Sequence, residues 1–166
     1  MPSLPNHFGP SGLLALVFRR FVDIPVFLTV NIAIDLEVVV IALIRFPGYP
    51  PRYAHTLLVG SAIGIVWALL MAPLRPAFRP LMRALRLPCA GGLGRMVVSG
   101  VLGAWVHVLI DGLYRSGAGL FWPLPWKNPL CRFSRGDVDL LGWLSAGAAA
   151  LFYAVHWNRS RTTPPG

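Results

Sequence analysis

Long apolar runs separated by short basic or proline-rich segments are the main pattern along this chain. Runs at 24–44, 55–71, 93–114 and 138–157 approach the roughly 20 residues that a helix needs to cross a bilayer. An earlier run, 12–21, is too short to span, and we expect it to lie at the interface or to re-enter the bundle. The pattern predicts an all-α integral membrane bundle of about four transmembrane helices plus this short N-terminal helix.

The segments between the runs predict surface structure. Arginines spaced three or four apart in 73–88 indicate an amphipathic surface segment, whose prolines restrict the helix to its second half. Tryptophans in the loop 115–136 favour the boundary between membrane and water. No basic residue precedes the first apolar run, so we expect no cleaved signal peptide. We expect one domain at 1–160 and a disordered tail at 161–166.

Composition supports the membrane interpretation over its alternative, a soluble all-helical core. The chain of 166 residues is 55% hydrophobic, with a mean hydropathy of +0.62. The formal charge of +9 is also found in proteins that bind nucleic acid. In a membrane protein, however, basic residues more often mark cytoplasmic loops that meet anionic lipid. We therefore expect membrane lipid as a partner and no nucleic acid.

The distribution of basic residues predicts an orientation. Nine of them fall in the N-terminal segment, the 73–95 loop and the tail, against six in the 45–52 link and the 115–136 loop. This bias favours both termini in the cytoplasm. In that frame the ionisable side chains of the first three spans lie at a similar depth, in the outer half of the membrane.

His107 and Asp111 are the strongest candidates for chemistry. They stand four residues apart in the third predicted span, and positions four apart share a helix face. The same stripe continues back through Gly103 and Ser99, a small-residue face that another helix can approach closely. The pair can hold one metal ion, or the carboxylate can orient the imidazole, or the two can form an interhelical hydrogen bond.

Further polar residues stand at the same predicted depth. Asp35 and Glu37 lie in the first span and His55 opens the second. Each buried carboxylate costs roughly 2.5–3.5 kcal/mol on insertion scales, so protonation, hydrogen bonds, water or a cation must offset it. Imidazole with carboxylate suits zinc. Glu37 points away from Asp35 on a regular helix, which suggests a second role, as general base or in support of a ligand.

Two other histidines are weaker candidates. His7 can join the site only if the N-terminal piece re-enters from the outer side. His156 stands beside Trp157 and Arg159, which indicates an interfacial histidine.

The order of these motifs resembles the YdjM-like family of bacterial inner-membrane, metal-dependent hydrolases, which is distantly similar to zinc-dependent phospholipase C. The matching stretches are His7-Phe8-Gly9-Pro10, Asn31 to Glu37, His55-Thr56, His107-x-x-x-Asp111, and Phe121-Trp122-Pro123 with Asn128-Pro129-Leu130. The resemblance implies that the ligand candidates are His7, Asp35, His55, His107 and Asp111.

Two departures from the family pattern are visible. The family shows Pro-Asp-x-Asp where this chain has Ile34-Asp35-Leu36-Glu37. It shows two histidines in the next motif, where this chain has Arg52-Tyr53-Ala54-His55, so a ligand for a second metal is missing.

The sequence therefore predicts a membrane-bound, metal-dependent hydrolase of an ester or phosphoester, plausibly lipid-borne, with a divalent metal such as zinc. In this hypothesis Glu37 or a bound water handles the proton. The alternative is a non-enzymatic membrane protein in which the same groups form a structural network or an ion or proton path.

Overall fold

A computed structural model describes residues 5–43, 53–89 and 91–162, and these ranges contain six α-helices and no β-strand. The helices are α1 (Pro5–Val17), α2 (Ile24–Leu43), α3 (Leu57–Met71), α4 (Arg75–Ala84), α5 (Leu93–Tyr114) and α6 (Arg135–Thr162). A short 3₁₀ turn, Tyr53–His55, precedes α3. The all-α prediction is confirmed for this part of the chain. The proline-rich link 45–52 and the tail beyond 162 lie outside the described residues.

The predicted number of spans was too high. Among the described residues, two helices are long and apolar enough to cross a membrane: Leu93–Tyr114, and Arg135–Ser160 within α6. α3 has only 15 residues, about 22 Å at 1.5 Å per residue, and it turns by 87° into α4. The bent pair α3–α4 counts as a third span at most. α2 has 20 residues but is not among the spans that the described residues support.

Helix boundaries follow the local sequence. The predicted third span is confirmed in its bounds, and the fourth lies inside α6. α1 begins earlier than predicted, at Pro5, and ends before Arg19 and Arg20. The prediction that prolines restrict the 73–88 helix to its second half was wrong. α4 begins at Arg75 because Pro76 falls in its first turn, where a helix does not need the missing N–H.

α5 forms the centre of the bundle, with α2 and α3 packed against it, while α1 packs against α6. Close approach depends on small residues, as the stripe through Ser99 and Gly103 predicted. A Cβ on Gly103 would lie 2.5 Å from the Phe27 carbonyl oxygen of α2, and one on Gly64 would lie 2.5 Å from the Gly100 carbonyl oxygen. The glycines therefore set the distances between α5 and its two neighbours.

We expect Gly64→Ala to destabilise the protein by about 1–3 kcal/mol, because the backbones of α3 and α5 must separate to admit one methyl group. Thermal unfolding in detergent measures the effect as a lower Tm. Gly147→Ala is the matched control, since a Cβ there meets nothing within 4 Å. Equal melting temperatures for the two variants would contradict this account of the helix packing.

The loop between α5 and α6 folds back over one end of the bundle. Leu120 is fully buried in a cluster with Val30, Ile34 and Val108. The backbone N–H of Leu57 donates to the Leu120 carbonyl over 2.9 Å. This contact holds the loop against the start of α3, directly after His55.

Candidate metal centre

Side chains from four segments meet at the end of the bundle that this loop covers. The C-terminal part of α5 contributes His107 and Asp111, about 10 Å and 5 Å from the end of that helix. The other predicted site residues that reach the same place are His7 from the start of α1, Asp35 and Glu37 from α2, and His55 from the 3₁₀ turn. The structure thus brings together all six residues singled out from the sequence.

The histidines face carboxylates through their Nε2 atoms. His7 Nε2 lies 3.5 Å from Asp111 Oδ1, and His55 Nε2 lies 3.5 Å from Asp111 Oδ2. Asp35 Oδ1 lies 3.5 Å from His107 Nε2 and 3.8 Å from His55 Nε2. The rings of His7 and His107 stack with centroids 3.9 Å apart. Two carboxylates and three imidazoles therefore surround one small space.

Several of these atoms are buried without a hydrogen-bond partner. Within the described residues, the Nε2 atoms of His7, His55 and His107 and the Oδ2 atom of Asp111 make no hydrogen bond. Leaving a buried polar atom unpaired costs about 1–3 kcal/mol, so a convergent set of four needs an explanation. Burial also lowers the pKa of His7 below its ordinary value, although the charge of Asp111 acts to raise it. The lowered pKa favours the neutral imidazole, which is the form that binds metals.

Glu37 contacts the opposite nitrogen of His55. Its two carboxylate oxygens accept the backbone N–H of Ala54 at 3.2 and 3.1 Å, and Oε2 lies 3.4 Å from His55 Nδ1. Because an ionised carboxylate only accepts, His55 Nδ1 donates and its Nε2 lone pair points into the cluster. The geometry favours the supporting role for Glu37, which the sequence left open beside that of general base.

Asn31 orients the imidazole of His107 in the way that Glu37 orients that of His55. Its side-chain amide nitrogen donates to the Leu28 carbonyl over 2.9 Å, which fixes its oxygen toward His107 Nδ1 at 3.2 Å. His107 Nδ1 is thus the donor and its Nε2 carries the lone pair. Ser11 also donates to the Asn31 oxygen, over 3.4 Å. Asn31 shares a helix face with Asp35, and this spacing was the signal in the sequence for its role.

Two residues at the end of α5 belong to the site although the sequence did not indicate them. The Tyr114 hydroxyl donates to Asp111 Oδ1 over 3.0 Å, and Arg115 Nη1 lies 3.3 Å from Asp111 Oδ2. Arg115 is four residues after Asp111, the usual spacing of an ion pair on one helix face. That spacing could have identified it. His156, predicted to be interfacial, lies outside the cluster, with Nε2 3.0 Å from the Arg86 carbonyl oxygen.

The distances within the cluster suit a single tetrahedral ion. Ligand bonds of about 2.0–2.2 Å place neighbouring ligand atoms of a tetrahedral site about 3.3–3.6 Å apart. Two sets of ligand atoms lie within 4.8 Å of one another: His7, His107 and Asp111, and Asp35, His55 and His107. His107 belongs to both sets, so an ion held by either set would take His107 as a ligand. The arrangement therefore favours one metal over two, and its donors fit zinc chemistry.

Comparisons with protein-family models, with curated proteins and with solved structures found no match. The chemistry of this site therefore has to be argued from the side chains themselves.

Proposed function

We propose that this protein is an integral membrane metalloenzyme that binds one divalent ion, zinc, at the buried cluster and hydrolyses an ester or phosphoester. The observation that carries the proposal is the convergence of three buried histidine Nε2 atoms and Asp111 Oδ2, none of which makes a hydrogen bond within the described residues. A purely structural network would pair these atoms with each other at about 2.7–3.2 Å. His55 Nε2 and Asp111 Oδ2 instead lie 3.5 Å apart, the separation of neighbouring ligand atoms around a tetrahedral metal ion.

The roles of the residues follow from their positions. The proposed ligands are three residues at a time, either His7, His107 and Asp111 or Asp35, His55 and His107, which leaves the fourth position of a tetrahedral ion for water. Glu37 and Asn31 hold the imidazoles of His55 and His107 in the required tautomer. Asp35 lies on the more open side of the cluster, since its side chain is 41% exposed while those of the histidines are at most 5% exposed. A zinc ion bound here would supply an activated water at neutral pH.

The location of the site supports a substrate that reaches the membrane. The cluster lies within about 10 Å of the end of a membrane-spanning helix. Exposed Trp122 and Trp126 stand on the adjacent loop, where aromatic side chains mark the bilayer boundary. We propose a lipid-borne ester or phosphoester, and the inner membrane of a bacterium as the location.

The test is the metal content and hydrolytic activity of the full chain purified in detergent. We expect about one equivalent of zinc by elemental mass spectrometry, and hydrolysis of phospholipid that stops on chelation and returns with added zinc. Chelation should stop hydrolysis because the proposed nucleophile is the water that the metal activates. Absence of metal after soaking with zinc would refute the proposal, and hydrolysis that is indifferent to chelation would refute its mechanism.

A further inference from the structure

Arg115 stands at the mouth of the cluster. It caps α5, and its backbone N–H donates to the Asp111 carbonyl over 3.2 Å. Its side chain is 24% exposed, whereas that of Asp111, which it contacts, is 2% exposed. The guanidinium therefore connects the buried carboxylate to the surface from which a substrate arrives.

The contacts of Arg115 with its neighbours use two of its three guanidinium nitrogens. Nη1 faces Asp111 Oδ2 at 3.3 Å, and Nε donates to the Tyr114 hydroxyl over 3.0 Å. That hydroxyl in turn donates to Asp111 Oδ1, so Asp111 and Tyr114 hold the arginine in place. A guanidinium carries five N–H donors, and within the described residues the Nη2 group is left for a further partner. Anionic oxygens are the preferred partners of an N–H group on a charged guanidinium.

The charges at the site also point to an anionic substrate. Asp35, Glu37 and Asp111 are three carboxylates, and a divalent ion together with Arg115 balances them. A loaded site without Arg115 would carry a net negative charge and would repel an anion. Arg115 makes the loaded site neutral and places a positive charge on a partly exposed side chain.

An aromatic surface lies beside this charged entrance. Tyr53 and Trp122 are both 43% exposed and touch edge to face, with ring centroids 5.2 Å apart. Tyr53 stands in the same 3₁₀ turn as His55, which contributes to the cluster. A fixed cation next to exposed aromatic rings fits an amphiphile whose charged group meets Arg115 and whose apolar part stays at the bilayer boundary.

We infer that Arg115 is the specificity-determining residue of the site and binds the anionic phosphoryl oxygens of the substrate, with Tyr114 as its positioning residue. This inference rests on the proposed function and narrows its substrate class from esters in general to phosphoesters. The competing explanation is that Arg115 only neutralises Asp111. Only the first explanation predicts that Arg115 strengthens the binding of an added phosphate ion to the zinc-loaded protein.

The experiment measures two binding constants on the full chain in detergent. Zinc affinity is determined with a competing chelator, and inorganic phosphate is then titrated calorimetrically into the zinc-loaded protein. The variants are Arg115→Gln, which removes the charge, and Arg115→Lys, which keeps the charge but replaces the planar guanidinium with an ammonium group. Arg132→Gln is the matched control, because it removes one exposed arginine from the same loop.

We expect Arg115→Gln to retain zinc and to bind phosphate at least about tenfold more weakly, because a hydrogen bond to a charged group is lost. Arg115→Lys should fall in between, and Arg132→Gln should match the wild type. Equal phosphate affinity in wild type and Arg115→Gln, both loaded with zinc, would overturn this inference alone. A wild-type protein that takes up no zinc would overturn the proposed function and the inference with it.

A second arm identifies the source of the phosphoryl group. The wild-type protein is placed in nanodiscs of phosphatidylcholine with or without phosphatidic acid, and inorganic phosphate is titrated again. Weaker apparent phosphate binding in the discs with phosphatidic acid assigns the subsite to a lipid headgroup. Unchanged binding assigns it to a soluble phosphoester, with the same chemistry at Arg115.

Discussion

His107→Ala is expected to abolish stable metal binding while the protein keeps its helical fold. His107 is the one residue shared by both possible sets of ligands, so its removal leaves neither set complete. Loss of a group that only supports a ligand weakens metal affinity by about 10–100-fold, and loss of the ligand itself should exceed that range. Elemental mass spectrometry and chelator competition on the purified protein measure the change.

Two further variants make this result interpretable. His156→Ala removes a histidine that bonds the Arg86 carbonyl outside the cluster, and it should keep full metal content. His107→Gln keeps a polar side chain of similar length in the buried position and separates the loss of a ligand from the loss of packing. Suppose that both His107 variants unfold, while removal of metal leaves the stability of the wild type unchanged. The cluster is then an interhelical network, and the proposal of a metal site is wrong.

Glu37→Gln is expected to weaken zinc affinity by about 10–100-fold and to leave the rate of hydrolysis at saturating zinc close to that of the wild type. Glu37 contacts His55 Nδ1 and the Ala54 N–H, on the side of the imidazole that faces away from the cluster. A glutamine retains the shape and an acceptor oxygen but loses the charge that fixes the tautomer of His55.

The activity at saturating zinc distinguishes the two roles that the sequence left open for Glu37. A general base would be required for the reaction itself, so its loss would lower kcat however much zinc is present. Asn31→Ala is the parallel variant on His107 and should show the same pattern. A large fall in kcat with unchanged zinc affinity for Glu37→Gln would restore the role of base.

The helical class and the central helix follow from local sequence. A run of 22 mainly apolar residues can satisfy its backbone hydrogen bonds only as a helix, and its bounds therefore follow from where the apolar run ends. The spacing of His107 and Asp111 also sets them on one face, since helix geometry depends only on residue separation. The small residues below them likewise predict that a neighbour comes close, and Gly103 meets the backbone of α2.

Other features depend on how the helices dock, and no local pattern contains that information. His7 lies 104 positions before Asp111, and it reaches the cluster because α1 packs between α2 and α6. The 87° turn between α3 and α4 is also not visible in either segment when each is considered alone. The partners of Glu37 and Asn31, and therefore their roles, likewise appear only once α2 faces the 3₁₀ turn and α5. Spacing along the chain determines which residues share a face, whereas packing between helices determines what each face meets.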